Sequence, residues 1–373
     1  MTFMLCAGEA SGDLHASELI RALRQQDPEA RFVFLGGDLM AEAAQVSPVI
    51  HYREMAYMGV VDVVSHLPQV TRNLKIATSL LGKVRPDALI LIDYPSFNLR
   101  LASEARRLGI PVYYYISPKV WAWKEFRTAK IAECCRMVFG IFPFEPEFYQ
   151  RHGYARCIYV GNPSVEEIDR RLESAPLAEE FRRKHSLSDK PLIAIVPGSR
   201  VGEIKRNLPI MLEAARVLES KYQAVVAGAP GVDRALYPDS VQVVFDATTE
   251  LMHASTAALV TSGTASLEAA LARVPQVVCY RHTGSRMTYA VMSRILKIPF
   301  VSLPNLVAGK QVVPELLLHK CTPIDVLRHL VNILPGHKGR DAQLEGYDLI
   351  RRRLGETRAA ATAATLLLAD IRG

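Results

Sequence analysis

Short apolar runs alternate with stretches of helical spacing along most of the chain. Each run is four to six residues long, and few polar residues interrupt it. Such runs are typical of strands that are buried on both faces of a parallel sheet. The predicted strands are 2–7, 32–35, 88–92, 112–116, 137–141, 192–196, 224–227, 241–245, 257–260 and 276–279. The pattern therefore predicts an α/β protein whose parallel sheets are covered by helices.

The alternation occurs twice, and a charged helical stretch over 166–185 separates the two halves. A chain of 373 residues is also too long for one ordinary core. We therefore predict two Rossmann-like, doubly wound domains facing a cleft, over 1–163 and 164–340. A helical tail over 341–373 is predicted to cross back onto the first domain or to pack against a partner.

The second half contains a strand, a small turn and a helix that together suit an anion. Ser262, Gly263 and Thr264 form the turn. Because Gly263 has no Cβ, a phosphate could approach the backbone N–H groups of the first helical turn. Glu268, about one turn further, is placed to accept hydrogen bonds from a ribose or sugar hydroxyl. An ordinary strand-turn-helix with a solvated glutamate is the alternative.

A second turn of this kind follows strand 192–196 and ends in Arg200. A guanidinium can bind two phosphate oxygens at once, and Gly198 would admit them. Two such turns at equivalent strand ends could hold one diphosphate. Arg281 is a weaker candidate for the same role.

Asp93 is the leading candidate for a general base, because it directly follows strand 88–92. Reactive groups in open α/β sheets collect at the carboxyl ends of strands. Apolar neighbours at such an edge would raise the pKa of a carboxyl group into the range useful for a base. Alternatively, Asp93 caps a helix that starts near Ser96. Three rival bases lie in the first loop: Glu9, Asp13 and His15. Asp13 is also a plausible helix cap.

The net charge of +7 is concentrated in one segment, since 65–136 holds twelve Lys and Arg residues against five Asp and Glu residues. Such a patch suits anionic lipid, nucleic acid or a phosphorylated substrate, or it is a solvated face. Apolar residues at helical spacing run through it: Val70, Leu74, Ala77 and Leu81. Together with the valines of 60–64, they predict either a surface that enters the lipid headgroup layer or a core helix with a basic outer face. Trp121 and Trp123 could cover an apolar ligand near this patch.

The cysteines and the apolar runs argue against a protein with a cysteine metal site and against a membrane-spanning protein. All six are scattered without metal-ligand spacing, which favours reduced and mostly buried thiols in a cytosolic protein. No apolar run reaches the roughly 18 residues of a membrane span, and no signal peptide is evident. We expect a protein that is soluble or lies on a membrane surface.

Seven short motifs, in this order, resemble the lipid-A-disaccharide synthase family. They are 7–13 (AGEASGD), 92–98 (IDYPSFN), 117–123 (SPKVWAW), 143–145 (PFE), 197–200 (PGSR), 262–268 (SGTASLE) and 302–309 (SLPNLVAG). The resemblance implies the GT-B architecture and transfer of 2,3-diacylglucosamine from UDP to 2,3-diacylglucosamine 1-phosphate, forming a β-1,6 disaccharide. It also implies a peripheral enzyme on the cytoplasmic face of the bacterial inner membrane, without nucleic acid as a partner, and a homodimer that exchanges C-terminal segments.

The resemblance and the residues together suggest a mechanism without a metal or other cofactor. Asp93 would deprotonate the acceptor 6-hydroxyl, which attacks the anomeric carbon with inversion as UDP departs. Charge on the diphosphate would be neutralised by Arg200 and the N–H groups of 262–265. Four further residues are predicted to contact the substrates: Glu268 at the ribose, Asn305 at the donor, and Ser11 and Gly12 at the sugar.

Two positions depart from the family pattern, which often has Asp at position 96 and His at position 162. Ser96 leaves Asp93 as the sole carboxylate of its loop, and Asn162 puts any role of that position in doubt.

Two other functions would also use the predicted nucleotide site. They are a UDP-sugar 2-epimerase and a non-catalytic nucleotide-binding protein docked to a membrane.

Overall fold

A computed structural model of the chain describes residues 1–55, 67–121, 125–281 and 300–373. The chain divides into two compact units, Met1–Pro163 with Glu356–Gly373, and Ser164–Gly355. The chain passes from the first unit to the second directly after Pro163. The segment 341–373, expected to form one tail, is divided between the two units.

The first unit is built on a parallel sheet of seven strands. The strands are β1 (Thr2–Ala7), β2 (Arg31–Gly36), β3 (Ile50–His51), β4 (Ala88–Ile92), β5 (Val112–Tyr115), β6 (Met137–Gly140) and β7 (Cys157–Tyr159). They lie in the order β3-β2-β1-β4-β5-β6-β7. From β1, the strands β2 and β3 are added on one side of the sheet, and β4 to β7 are added on the other side. The place where the order changes, between β1 and β4, is the switch point of the sheet. In doubly wound sheets, ligands bind at the carboxyl ends of the strands at this point.

Helices cover both faces of this sheet. They are α1 (Ala10–Gln26), α2 (Asp38–Ala44), α3 (Leu67–Val84), α4 (Pro95–Arg107), α5 (Arg127–Cys134) and α6 (Glu145–Arg151). Alternate residues of β1 enter opposite cores, with Phe3 and Leu5 on one face and Met4 and Cys6 on the other. All six cysteines of the chain are buried and free.

The second unit repeats the design with six parallel strands. They are β8 (Leu192–Val196), β9 (Gln223–Gly228), β10 (Gln242–Phe245), β11 (Ser255–Thr261), β12 (Gln276–Tyr280) and β13 (Glu315–Leu317). Their order is β10-β9-β8-β11-β12-β13, which places the switch point between β8 and β11. The helices described around the sheet are α7 (Pro163–Glu173), α8 (Ala178–Lys184), α9 (Val201–Arg216), α10 (Thr248–His253), α11 (Thr264–Leu271), α12 (Leu303–Ala308), α13 (Pro323–Asn332) and α14 (Lys338–Leu354). The predicted organisation into two parallel α/β domains is confirmed.

The final helix, α15 (Ala359–Arg372), returns to the first unit and packs on α1. Leu367 and Leu368 are buried in the same core as Phe3. Tyr113 donates a hydrogen bond of 2.7 Å to Asp370 Oδ2, and Arg136 forms an ion pair of 2.5 Å with the same carboxylate. The predicted return of the C-terminal helix to the first domain is therefore confirmed.

The basic segment contains α3, which is a core helix with a basic outer face. Ala77 and Leu81 are buried in the core, while Arg72 and Lys75 are exposed. The valines of 60–64 and Trp123 lie outside the described residues. Among the helices of the described ranges, none combines the length and apolarity required to cross a bilayer.

Candidate active site

Asp93 lies at the switch point of the first sheet, immediately after β4. Its N–H donates to the Ile116 carbonyl at 3.1 Å, and its own carbonyl accepts from Asn98 Nδ2 at 2.8 Å and Tyr114 Oη at 2.6 Å. Helix α4 begins at Pro95 with Tyr94 in the N-cap position, so Asp93 is one residue outside the capping position. The backbone of Asp93 is therefore fixed on both sides, through its N–H and through its carbonyl oxygen.

The carboxylate of Asp93 is held in an environment suited to a base. Burial raises its pKa above the usual value, and the Lys119 ammonium and the Tyr94 backbone N–H oppose this rise in part. Burial in turn lowers the pKa of Lys119, against the attraction of Asp93 and Glu145. A carboxyl group with a raised pKa is a better proton acceptor when ionised.

Glu145 is a buried carboxylate at the same edge of the sheet. Its Oε1 accepts from Trp121 Nε1 at 3.2 Å, and its Oε2 accepts from the N–H groups of Ile141 at 2.7 Å and Phe142 at 2.9 Å. Burial raises its pKa to about 7, although these hydrogen bonds favour the charged form. Glu145 therefore ties the loop that carries Lys119 and Trp121 to the loop after β6.

Two glycines of the first loop permit close packing. A Cβ on Gly8 would lie 2.3 Å from the Tyr94 ring, and one on Gly12 would lie 3.2 Å from the Ala7 Cβ. Gly12 is buried and has no side chain, so α1 can approach the sheet closely there, and its contact with the sugar stays a prediction. Ser11 is exposed at the start of α1. Glu9 is the N-cap residue of that helix.

Asp13 caps a helix, but not the helix that contains it. Its carboxylate accepts hydrogen bonds from the N–H groups at the start of α2: Gly37 at 2.8 Å, Leu39 at 3.1 Å and Met40 at 3.1 Å. Asp13 is only 3% exposed. These contacts leave it poorly placed to accept a proton from a substrate, which removes one rival of Asp93.

In the second unit, the turn from Ser262 to Thr264 follows β11 at the switch point. Gly263 has a φ of 155°, and a Cβ there would meet no atom within 4 Å. It is the N-cap residue of α11 and provides no side-chain cap, so the start of this helix lies open beside an exposed Thr264. Ser262 Oγ donates to the Val301 carbonyl at 3.2 Å. This open helix start has the geometry of an anion site.

Glu268 lies one turn into α11 and is half-buried. Burial raises its pKa, the nearby Glu167 raises it further, and Arg171 opposes both effects. Arg171 also donates to Glu167 Oε1 at 2.7 Å, so a small charged cluster lies behind Glu268.

Arg200 is the N-cap residue of α9, at the end of the other strand of the switch point. Its side chain is 65% exposed and lies 3.9 Å from Glu203. Glu203 Oε2 accepts from the Ser199 N–H at 3.2 Å, and a Cβ on Gly198 would lie 2.5 Å from that oxygen. A carboxylate of the chain thus occupies part of the turn predicted to hold phosphate.

Two other side chains predicted to contact the ligand form hydrogen bonds within the second unit. Arg281 Nη1 donates to the Cys321 carbonyl at 2.9 Å. Asn305 is fully buried; its Nδ2 donates to Val313 O and Glu315 Oε1, and its Oδ1 accepts from the N–H groups of Val312 and Val313. All the hydrogen-bonding capacity of this side-chain amide is used within the second unit, and the contact of Asn305 with the donor stays a prediction.

Sequence reasoning assigned no catalytic or ligand-binding role to four side chains of these edges. They are Asn98, Lys119, Glu145 and Glu203. Glu145 could have been found, because it follows the predicted strand 137–141 as Asp93 follows 88–92. The contacts of Asn98 could not, because they join it to strand ends that are distant in sequence.

The chain shares its sequence over almost its whole length with known proteins. Residues 3–367 match the family described as lipid-A-disaccharide synthetase. The lipid-A-disaccharide synthase of Myxococcus xanthus strain DK1622 is 41% identical over 377 residues, which cover 98% of this chain and 96% of that protein. The enzyme of the same name from Pseudomonas paraeruginosa is 36% identical, with 97% and 96% covered.

Solved structures with the same fold include an epimerase and a transferase. UDP-GlcNAc 2-epimerase from Neisseria meningitidis, bound to UDP-GlcNAc, aligns with a TM-score of 0.64 and 13% identity over 99% of this chain and 100% of that one. Spinosyn forosaminyltransferase aligns with a TM-score of 0.61 and 15% identity over 100% of both chains. At these identities the likeness concerns the fold alone.

Proposed function

Because the chain belongs to the lipid-A-disaccharide synthase family and is a glycosyltransferase of lipid A biosynthesis, we propose that its donor is UDP-2,3-diacylglucosamine. The acceptor in this proposal is 2,3-diacylglucosamine 1-phosphate, and the products are the β-1,6-linked disaccharide 1-phosphate and UDP. The seven motifs of the family and the position of Asp93 support this choice.

The proposed reaction is a single in-line displacement. Asp93 accepts the proton of the acceptor 6-hydroxyl, and the oxygen attacks the anomeric carbon as the bond to UDP breaks. A single displacement inverts the configuration at that carbon. The observation that carries the proposal is the position of Asp93, which directly follows β4 at the switch point and is the only carboxylate of the motif 92–98.

The second unit is proposed to bind the donor nucleotide at the switch point between β8 and β11. The open N–H groups at Gly263, Thr264 and Ala265 would hold the diphosphate, with Arg200 as the counter-charge and Arg281 as a weaker candidate. Glu268 would accept hydrogen bonds from the ribose. Because Glu203 uses the Ser199 N–H, a phosphate at the other turn would have to displace that carboxylate.

Mixing the purified protein with the two proposed substrates tests the function. We expect disaccharide 1-phosphate and UDP in equal amounts, and an unchanged rate after treatment with EDTA. Recovery of a free acylated sugar epimer in place of disaccharide would contradict the proposal. Nucleotide binding without any product would also contradict it.

The side chain of Arg200 provides the test of the donor site. We expect Arg200→Ala to weaken UDP binding about 10- to 100-fold, the loss of a charge-assisted contact with the diphosphate. Arg216→Ala is a matched control, because Arg216 is an exposed arginine at the other end of α9. Isothermal titration with UDP measures both. Equal affinity in both variants would exclude Arg200 from the site.

We also propose that the enzyme works on the cytoplasmic face of the inner membrane, where acylated substrates reside, and that exposed basic residues of α3 contact anionic lipid. Sedimentation with vesicles of phosphatidylglycerol and phosphatidylcholine tests this contact. The double variant Arg72→Glu and Lys75→Glu should sediment less, and salt should weaken the wild type. Vesicle binding that neither salt nor charge reversal changes would contradict it.

The homodimer implied by the family likeness stays a prediction, which light scattering tests.

A further inference from the structure

Three residues with left-handed backbone meet at the switch point of the first unit, and none is glycine. Asp93 has a φ of 42°, Tyr94 of 47° and Ile116 of 58°. Side chains of L-residues disfavour this region, most of all branched ones such as isoleucine. The Asp93 N–H donates to the Ile116 carbonyl at 3.1 Å, so two of the strained residues are joined directly.

Two buried side chains hold this turn through one atom, the Asp93 carbonyl oxygen. Asn98 Nδ2 donates to it at 2.8 Å and Tyr114 Oη donates to it at 2.6 Å. The same Asn98 amide nitrogen lies 3.3 Å from the Cys6 carbonyl and 3.2 Å from the Ile92 carbonyl. Asn98 therefore connects the ends of β1 and β4 to the turn that carries Asp93.

The polar atoms of these two residues are costly in a core, which indicates that they serve the turn. Asn98 and Tyr114 are both fully buried. Asn98 Oδ1 has no hydrogen-bond partner among the described residues. A buried acceptor without a partner is destabilising, and phenylalanine would fill the space of Tyr114 equally well. Strained backbone of this kind persists where surrounding contacts determine it, and it concentrates at functional sites.

We propose that Asn98 and Tyr114 are positioning residues that hold the Asp93 turn in its left-handed conformation and thereby aim the carboxylate at the acceptor hydroxyl. This inference rests on the proposed role of Asp93 as the base. Its consequence is that removing either contact slows the chemical step while substrate binding stays intact, since the carboxylate is displaced but no ligand contact is lost.

Tyr114→Phe tests the proposal with little risk to the fold, because only a hydroxyl is removed. Tyr113→Phe is the matched control: Tyr113 is equally buried on the same strand, but its hydroxyl donates to Asp370. We expect Tyr114→Phe to lower kcat about 10-fold, with KM for the acceptor and UDP affinity within about twofold of wild type. Asn98→Ala should lower kcat further, by about 100-fold. Equal kcat in both tyrosine variants would overturn the proposal.

The Asp93→Asn background separates positioning from general damage. If Tyr114 acts through Asp93, Tyr114→Phe should cause no further loss of kcat in that background. A further loss equal to that in the wild type would overturn the inference, because Tyr114 would then act independently. Near-normal turnover of Asp93→Asn alone would remove the proposed base. Loss of activity in Asp93→Asn with no effect of Tyr114→Phe would leave the base in place and refute only the positioning role.

Discussion

At the scale of single residues, burial and the charge of a neighbouring lysine act in opposite directions on the pKa of the proposed base. Asp93 is the proposed base. The positive charge of Lys119 lowers the pKa of Asp93 and also that of Glu145. Tyr114, which contacts the turn, stays protonated because burial raises its pKa. Left-handed backbone at Asp93 costs about 1–3 kcal/mol, which the rest of the unit must offset.

The pH dependence of the rate follows from the sign of these effects. A base acts only when deprotonated, so kcat/KM should fall as the pH drops through the raised pKa of Asp93. Lys119→Met removes the charge that lowers this pKa, and the acidic limb should move to higher pH. Lys119→Arg should restore it.

Lys130→Met is the control, because Lys130 is a surface lysine paired with Glu133. The profiles of kcat/KM across the acidic range decide the question. An acidic limb in Lys119→Met that coincides with the wild type would contradict the assigned interaction.

Sequence position was sufficient to place Asp93, Arg200 and the Ser262–Thr264 turn after the strands that precede them, because strand ends in doubly wound sheets have a predictable location. Sequence position did not indicate the environment of Asn305, whose side-chain amide is buried and fully hydrogen-bonded. Such contacts depend on which loops meet in space.

At the scale of elements, α2 illustrates how one helix stabilises another. Its N-cap residue, Gly37, has no side chain to satisfy the first N–H groups, and Asp13 of α1 does so instead. A Cβ on Gly37 would lie 2.6 Å from Asp13 Oδ2, so the glycine makes room for the carboxylate.

We therefore expect Asp13→Ala to lower the free energy of unfolding by about 1–3 kcal/mol, because buried N–H groups lose their acceptor. Turnover per folded molecule should stay close to the wild type. Asp38→Ala changes an exposed acid in the first turn of the same helix and serves as the control. Thermal melts and kcat are measured together. Normal stability with lost turnover in Asp13→Ala would reinstate Asp13 as a base.

Two five-residue strands were predicted with their observed bounds, since 88–92 and 192–196 match β4 and β8. The missed strands β3, β7 and β13 have two, three and three residues. Segments this short carry too little periodicity to be distinguished from loops.

At the scale of the whole molecule, the chain closes its first unit with its last helix. Leu367 is fully buried in the core shared with α1, although it lies more than 340 positions from that helix. The sequence predicted a helical tail over 341–373 that returns to the first domain or packs against a partner, but only tertiary contacts determine which of these it does.

Leu367→Ala should destabilise the first unit by about 2–5 kcal/mol through lost burial and a cavity. Trp121 is buried in this unit, so the change in its fluorescence during urea unfolding reports the stability of the unit. Leu366→Ala, at a partly buried neighbour, should cost clearly less. Equal midpoints for the two variants would contradict the packing of α15.

The turnover of Asp93→Asn, measured together with its affinity for UDP, tests the account most directly. The change keeps the size of the side chain and removes its capacity to accept the hydroxyl proton. We predict a fall in kcat of about 10²- to 10⁴-fold with UDP affinity unchanged. Turnover close to the wild type would contradict the central claim that Asp93 starts the transfer.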